Sequence, residues 1–244
     1  MDRDSSKISV HVITPVKDSI ESTLLTVDAI LASAPGVDFT FTIFNDNSTP
    51  ENTARLTALA REKKFSLVNI SELTDHPSPN YLLVLRLCRK RALEAGVPLL
   101  IVESDVIVAP DTIPSLVEIS RRLPKCGIAA AVTVDDCGEI NYPYAFARKL
   151  PKGIVEVNKH CSFCCSLLTP ALLRAVDFDT LDPEKHWHDV TISHRSLQAE
   201  LRNYLFTAFP VIHRPHASRP WKQLKYKNPL KYYWIKYTKG FDKI

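Results

Sequence analysis

The chain has 244 residues, of which 45% are hydrophobic and 24% charged, a balance that excludes a disordered or fibrous protein and leaves room for one large α/β domain. Its formal charge of +4 is unevenly spread: residues 219–244 hold eight Lys or Arg and one Asp, net +7, which leaves −3 for residues 1–218. No apolar run approaches the roughly 20 residues that cross a bilayer, and the polar start Met1 to Lys7 does not read as a signal peptide, so a cytoplasmic protein is expected.

Ile8-Ser9-Val10-His11-Val12-Ile13-Thr14-Pro15-Val16 is a β-branched run closed by proline and predicts a buried first strand. Asp18 and Glu21 stand at capping-box spacing, and Ile20, Leu24, Val27 and Leu31 fall on one helical face, so a helix follows. Phe39 to Phe44 predicts a second strand that runs into Asn45-Asp46-Asn47-Ser48-Thr49. Pro50 then sits where a first helical turn tolerates proline, and the helix extends to about Lys63. Phe65 to Ile70 predicts a third strand, residues 71–80 a loop, and Tyr81 to Ala95 a helix. The apolar run Val97 to Val102 predicts a strand that delivers Glu103-Ser104-Asp105. Strands alternating with helices of this length predict a mainly parallel, Rossmann-like sheet with right-handed crossovers and flanking helices.

The second half is less regular. Asp111 to Leu123 predicts a helix, Gly127 to Val134 a strand, and residues 135–160 loops or short strands able to cover an acceptor. Cys161-Ser162-Phe163-Cys164-Cys165-Ser166-Leu167-Leu168 reads as a buried strand of small residues beneath a site. Thr169-Pro170 opens a short helix, His188 or Asp189 to Leu201 forms another, and Phe206 to His213 predicts the last strand. The six cysteines read as reduced thiols. Zinc at Cys161, Cys164 and Cys165 with His160 is disfavoured, because structural zinc sites usually present two separated ligand pairs.

Glu103 and Asp105, one residue apart after an apolar strand, place hard oxygen ligands where open α/β sheets bind ligands. That suits Mg²⁺ or Mn²⁺ on a diphosphate and points to a nucleotide-activated substrate. Several residues keep two readings. Asp46 is either an acceptor for a base or ribose or a cap for the helix at Pro50, and Asp189 can likewise cap a helix. Trp187 is core or a platform for a sugar ring. His213 is a metal ligand or an ordinary strand-end histidine, with His216 as its competitor. His186, His188 and His194 could themselves hold zinc with Asp189.

Taken in order, these segments resemble the family 2 glycosyltransferases of the GT-A fold over roughly residues 8 to 240. Thr14-Pro15-Val16 resembles the first nucleotide-contacting strand end, Asn45-Asp46-Asn47-Ser48 the Asp-Asp-Gly-Ser turn, and Glu103-Ser104-Asp105 the Asp-x-Asp metal site. His188-Asp189-Val190-Thr191-Ile192-Ser193-His194-Arg195 resembles the helix start whose Asp is the catalytic base, and Val211-Ile212-His213 the Val-x-His of metal-dependent members. The resemblance implies a GT-A domain over 1–218, with a nucleotide-binding half of about 8–105, an acceptor and catalytic half of about 106–218, and a basic aromatic tail over 219–244. It implies an inverting hexosyltransferase using a nucleotide-sugar donor, a UDP-sugar foremost, with Mg²⁺ or Mn²⁺, in cell-surface glycan or polysaccharide synthesis. Asp189 would be the base, Asp105 and His213 would hold the metal, and Thr14, Pro15, Asp46, Glu103 and Trp187 would contact the donor.

This sequence departs from the pattern at Asn45, Asn47, Glu103 and Thr191. Asn47 is tolerable because Asn enters left-handed turns readily. The tail interleaves Trp221, Tyr226, Tyr232, Tyr233, Trp234 and Tyr237 with lysines. Its composition suits either peripheral contact with the inner face of an anionic membrane, which fits a glycan or lipid-linked acceptor, or a helix packed on the body. Nucleic acid is disfavoured, because the basic residues are confined to one tail. Two rivals stand beside the transferase: a sugar-phosphate nucleotidyltransferase, disfavoured by the lack of glycine in Pro15-Val16-Lys17-Asp18, and a non-catalytic nucleotide-sugar-binding module of the same fold.

Overall fold

A computed structural model describes residues 9–33, 36–185, 187–215 and 228–238. Its centre is a nine-stranded mixed sheet. Strands β1 (Val10–Val16), β2 (Phe39–Asn45), β3 (Ser66–Asn69) and β4 (Leu99–Val102) are parallel and lie in the order β3-β2-β1-β4. They are linked by α1 (Ile20–Leu31), α2 (Pro50–Lys63) and α3 (Tyr81–Ala95). Beyond β4 the sheet turns mixed. β8 (Cys165–Leu168) runs antiparallel between β4 and β6 (Cys126–Val134), and the long β9 (Arg202–His213) pairs parallel with β6. β7 (Ile154–Val157) joins the first half of β9, and the two-residue β5 (Val106–Ile107) joins its end. The second half also carries α4 (Thr112–Ser120), α5 (Pro170–Ala175), α6 (His188–Gln198) and α7 (Pro229–Thr238).

Two apolar cores, one on each face, hold the sheet between helices. In β4, Leu99 and Ile101 face the core built on α3, α5 and α6, while Leu100 and Val102 face the core built on α1, α2 and α4. A strand covered on both faces has no polar side to show, which is why Leu99 to Val102 reads as an unbroken apolar run.

Local chemistry sets the helix ends. The Thr49 side chain accepts from the Asn52 N–H to start α2, with Pro50 at the first helical position, and Thr169 does the same for α5. Gly96, at φ 68°, closes α3 in the left-handed conformation that glycine adopts without a Cβ clash.

Two expectations for α1 change. The expected stripe of Ile20, Leu24, Val27 and Leu31 is rotated: Ile20, Thr23, Thr26, Val27 and Ile30 are buried, and Leu31 is exposed. The two threonines tolerate burial because their hydroxyls donate to the carbonyls of Ser19 and Ser22, four residues back. Asp18 makes no capping box with Glu21. Ser19 is the N-cap, and the Asp18 carboxylate reaches across to accept from the Thr49 N–H at 2.7 Å and Asn52 Nδ2 at 3.1 Å.

Candidate active site at the carboxyl edge of the sheet

Because β1, β2 and β4 are parallel, the turns that follow them open on the same edge. Asp46 follows β2, the segment 17–19 follows β1, and Glu103-Ser104-Asp105 follows β4. Ser19 Oγ lies 3.1 Å from Ser104 Oγ, and Lys17 Nζ donates to the Asn47 carbonyl at 2.9 Å, so the three turns form a continuous rim. Asn47 takes φ 57°, the left-handed conformation expected of it in place of glycine.

The acidic triplet bends the chain out of β4 and into β5. The Val106 N–H bonds the Glu103 carbonyl, and Val106 then pairs with His213 at the end of β9. This pairing delivers His213 to Asp105: Nε2 lies 3.6 Å from Oδ2, and both side chains are buried. On the other side, the Glu103 N–H bonds the Cys164 carbonyl, and Cys164 Sγ lies 3.4 Å from Glu103 Oε2 and 4.0 Å from His213 Nε2.

His213 is held in one tautomer. Nδ1 faces the Tyr142 carbonyl at 2.9 Å, and since a carbonyl only accepts, Nδ1 carries the proton and Nε2 is left to bind. Asn141 Nδ2 donates to the His213 carbonyl at 2.9 Å, so the 141–142 segment grips this residue twice. Metal-binding histidines are commonly oriented in this way, by a carbonyl on the nitrogen away from the ion. Burial alone would lower the His213 pKa, but the adjacent Asp105 carboxylate, the Tyr142 carbonyl and the Glu103 charge outweigh it and raise the value.

Asp189 lies in the first turn of α6 and is not its N-cap, which is Trp187. The Asp189 Oδ1 accepts from the Val190 N–H at 2.9 Å. Ser193, one turn on, donates to the Asp189 carbonyl and accepts from the Cys161 N–H, which ties α6 to the segment leading into β8. Although Tyr142 is 53% exposed, its hydroxyl is pushed up to about 12, first by burial and then by Asp189, with further contributions from Cys164, Tyr232 and Glu103.

Asp46 sits farther along the rim, with the β1 end between it and Glu103, a separation of two strand spacings or about 10 Å. It does not cap α2, since Thr49 does. Its carboxylate accepts from Ser78 Oγ, the Asn80 N–H and Asn80 Nδ2, and so holds the 78–80 segment at the mouth of the sheet. Thr14 is fully buried, and Pro15 and Trp187 are half-buried.

Among the described residues, Glu103, Cys164 and His213 are the His, Cys, Asp or Glu side chains gathered closely enough to share one ion. Cys161, Cys165 and His160 form no such group, nor do His188, His194 and Asp189. His186 and His216 lie outside the described residues. Tyr142 carries no sequence signal for the site, since it lies in a segment read as loops or short strands; Cys164 comes up as a zinc ligand only with Cys161, Cys165 and His160 and otherwise falls in a strand beneath the site.

No known family's sequence pattern matches the chain, and no curated protein sequence does either. Solved structures do match. GalNAc-T7, solved with UDP, GalNAc and Mn²⁺, superposes with a TM-score of 0.62 at 9% identity, over 88% of this chain and 45% of its own. The mannosyltransferase PcManGT from Pyrobaculum calidifontis, solved with GDP-Man and Mn²⁺, superposes with a TM-score of 0.64 at 14% identity, over 90% and 60%. The chain has the GT-A fold. It spans about half the length of these two structures. Within its GT-A sheet, the acidic turn after β4 and the end of β9 meet on one side of the rim, and Asp46 stands across β1 from them.

Proposed function

We propose that the chain is a glycosyltransferase that moves a sugar from a nucleotide diphosphate donor to a hydroxyl acceptor with inversion, within a domain spanning 1–218. The observation that carries this reading is the meeting of Asp105 and His213, with Glu103 within 4.8 Å of His213, at the open edge of a GT-A sheet.

Asp105 Oδ2 and His213 Nε2, 3.6 Å apart, offer an oxygen and a nitrogen donor that suit a divalent ion, and Mn²⁺ accompanies the ligands of both matched structures. Asp105 and His213 would hold Mg²⁺ or Mn²⁺, and that ion would supply the positive charge that stabilises a departing nucleoside diphosphate. Glu103 contacts the ribose or completes the ion's surroundings. Asp46 borders the nucleoside pocket, both through its own oxygens and by fixing Ser78 and Asn80 beside it. Pro15 forms the wall of that pocket at the end of β1, with the buried Thr14 behind it.

Asp189 takes the proton from the acceptor hydroxyl as that oxygen attacks the anomeric carbon from the face opposite the nucleotide. Trp187, preceding it, offers a ring for the acceptor sugar. No helix among the described residues is long and apolar enough to cross a membrane. In α7, Tyr232 is buried while Leu230, Tyr233, Trp234 and Tyr237 are exposed along with Lys231, which supports peripheral contact with an anionic membrane face and a lipid-linked acceptor.

A thermal-shift screen of nucleotide sugars, with and without Mn²⁺, tests the proposal. One donor is expected to stabilise the protein markedly more when Mn²⁺ is present, and that donor should then be consumed with an added acceptor. Indifference to every nucleotide sugar would overturn the reading, and binding without any turnover would reassign the chain as a binding module.

A further inference from the structure

Beneath the carboxylates lies a sulfur donor that a hard ion does not need. Cys164 is 3% exposed and contributes Sγ at 3.4 Å from Glu103 Oε2 and 4.0 Å from His213 Nε2. The three ligand atoms all lie within 4.8 Å of one another. Around zinc, with Zn–S near 2.3 Å and Zn–N or Zn–O near 2.0–2.2 Å, tetrahedral ligands stand about 3.5 Å apart, so the set needs side-chain adjustments of only an ångström or so. His213 Nε2 already faces inward because Nδ1 is committed to the Tyr142 carbonyl.

We propose that Glu103, Cys164 and His213 form a mixed oxygen, sulfur and nitrogen site for a thiophilic divalent cation such as Zn²⁺ or Co²⁺, and that such an ion competes with Mn²⁺ for Glu103 and His213. On binding, the Cys164 thiol gives its proton to solvent and a metal–sulfur bond forms, with no change of oxidation state. Thiolate and imidazole favour zinc and cobalt over manganese, and the usual order of affinities runs the same way. Zinc therefore acts as a tight inhibitor of manganese-supported turnover. The inference deepens the metal reading above and rests on it only in that Glu103 and His213 face a common ligand.

Titrating the full-length protein with Co²⁺ alone, without nucleotide, tests it. Wild type is expected to develop sulfur-to-cobalt charge-transfer absorption in the near ultraviolet, and Cys164→Ser to lose it. The ratio of Zn²⁺ to Mn²⁺ affinity should fall about tenfold or more in that variant. Cys164→Ala serves if the serine is not tolerated, and X-ray absorption of the zinc-loaded wild type, which needs no variant, should show one sulfur near 2.3 Å. A cobalt spectrum without sulfur character, no cobalt binding at all, or an unchanged Zn²⁺ to Mn²⁺ ratio would each overturn the inference. Manganese-dependent nucleotide-sugar binding measured in parallel separates the two ideas: its persistence alongside a sulfur-free cobalt spectrum removes the thiol site and leaves the transferase standing.

Discussion

Asp46 and Asn80 are joined twice across the mouth of the sheet: Asn80 Nδ2 donates to Oδ1 at 2.8 Å and the Asn80 N–H to Oδ2 at 2.9 Å. Ser78 Oγ adds a third donor at 2.8 Å. One carboxylate therefore organises a segment that follows β3 against the turn that follows β2. An asparagine at position 46 keeps one accepting oxygen and turns an NH₂ group toward donors. Asp46→Asn is thus expected to destabilise the protein by about 1–3 kcal/mol and to loosen residues 74–80. Urea unfolding and amide exchange at Asn80 measure the two effects, and an unshifted midpoint with Asn80 equally protected would refute the role.

Asp189→Asn removes a base while keeping the side chain's shape and its Oδ1 acceptor for the Val190 N–H. Turnover should fall by about 10²–10⁴-fold, the usual worth of a general base. Donor affinity should hold within a few-fold, because the proposed function assigns α6 to the acceptor. Equal turnover in the variant would remove Asp189 from the reaction.

Asp105→Asn preserves volume at a buried position and takes away the charge facing His213 Nε2. The gain in nucleotide-sugar affinity on adding Mn²⁺ should shrink by about tenfold or more, equivalent to about 1.4 kcal/mol. Calorimetric titration with and without Mn²⁺ reads this difference directly. An undiminished manganese effect would place the ion elsewhere.

The thiols give a pH-dependent test of the fold. All six cysteines are free, and Cys137 is the exposed one. Burial pushes Cys88, Cys126 and Cys165 up to about 12, and a raised thiol pKa means a smaller thiolate fraction at every pH below it. Alkylation at pH 8 should therefore label Cys137 in the native protein and all six cysteines in urea. Peptide mapping by mass spectrometry resolves the sites, and native labelling at Cys88 or Cys126 would mean that the core opens.

Much of the fold is written locally. α2 and α3 match their expected limits because Thr49, Pro50 and Gly96 mark their ends, and β4 stands out as an apolar run because both its faces are covered. What could not be read depends on partners distant in the chain. β5 has two residues and exists by pairing with β9, and β8 runs antiparallel because of where β4 and β6 lie. The buried face of α1 includes two threonines that count as polar until their hydroxyls bond back into the helix. The acidic triplet and His213 were legible as residue types at strand ends. Tyr142 was not, because its part comes from the 141–142 grip on His213, and the sequence pairs Cys164 with the wrong partners, because its closeness to Glu103 comes from the bond between the Glu103 N–H and the Cys164 carbonyl.

Gly127 connects packing to the site. It lies in β6 under α6, and a Cβ there would stand 2.3 Å from Ser196 Oγ and 3.0 Å from Leu201 Cβ. Ser196 is fully buried, so its hydroxyl must be displaced within a full core, and Leu201 crowds the same atom through its own Cβ. Gly127→Ala should destabilise the protein by about 1–3 kcal/mol through overpacking. Relief comes by turning Ser196 to another rotamer or by moving α6 outward, and α6 carries Asp189 two turns before Ser196. Under the proposed function, turnover should therefore fall more than donor affinity, since that reading puts the nucleotide on β1 and β2 and not on α6. Measuring the unfolding midpoint, kcat and donor affinity of the same variant separates the cases: a lowered midpoint with unchanged kcat would mean that the strain is absorbed without displacing Asp189.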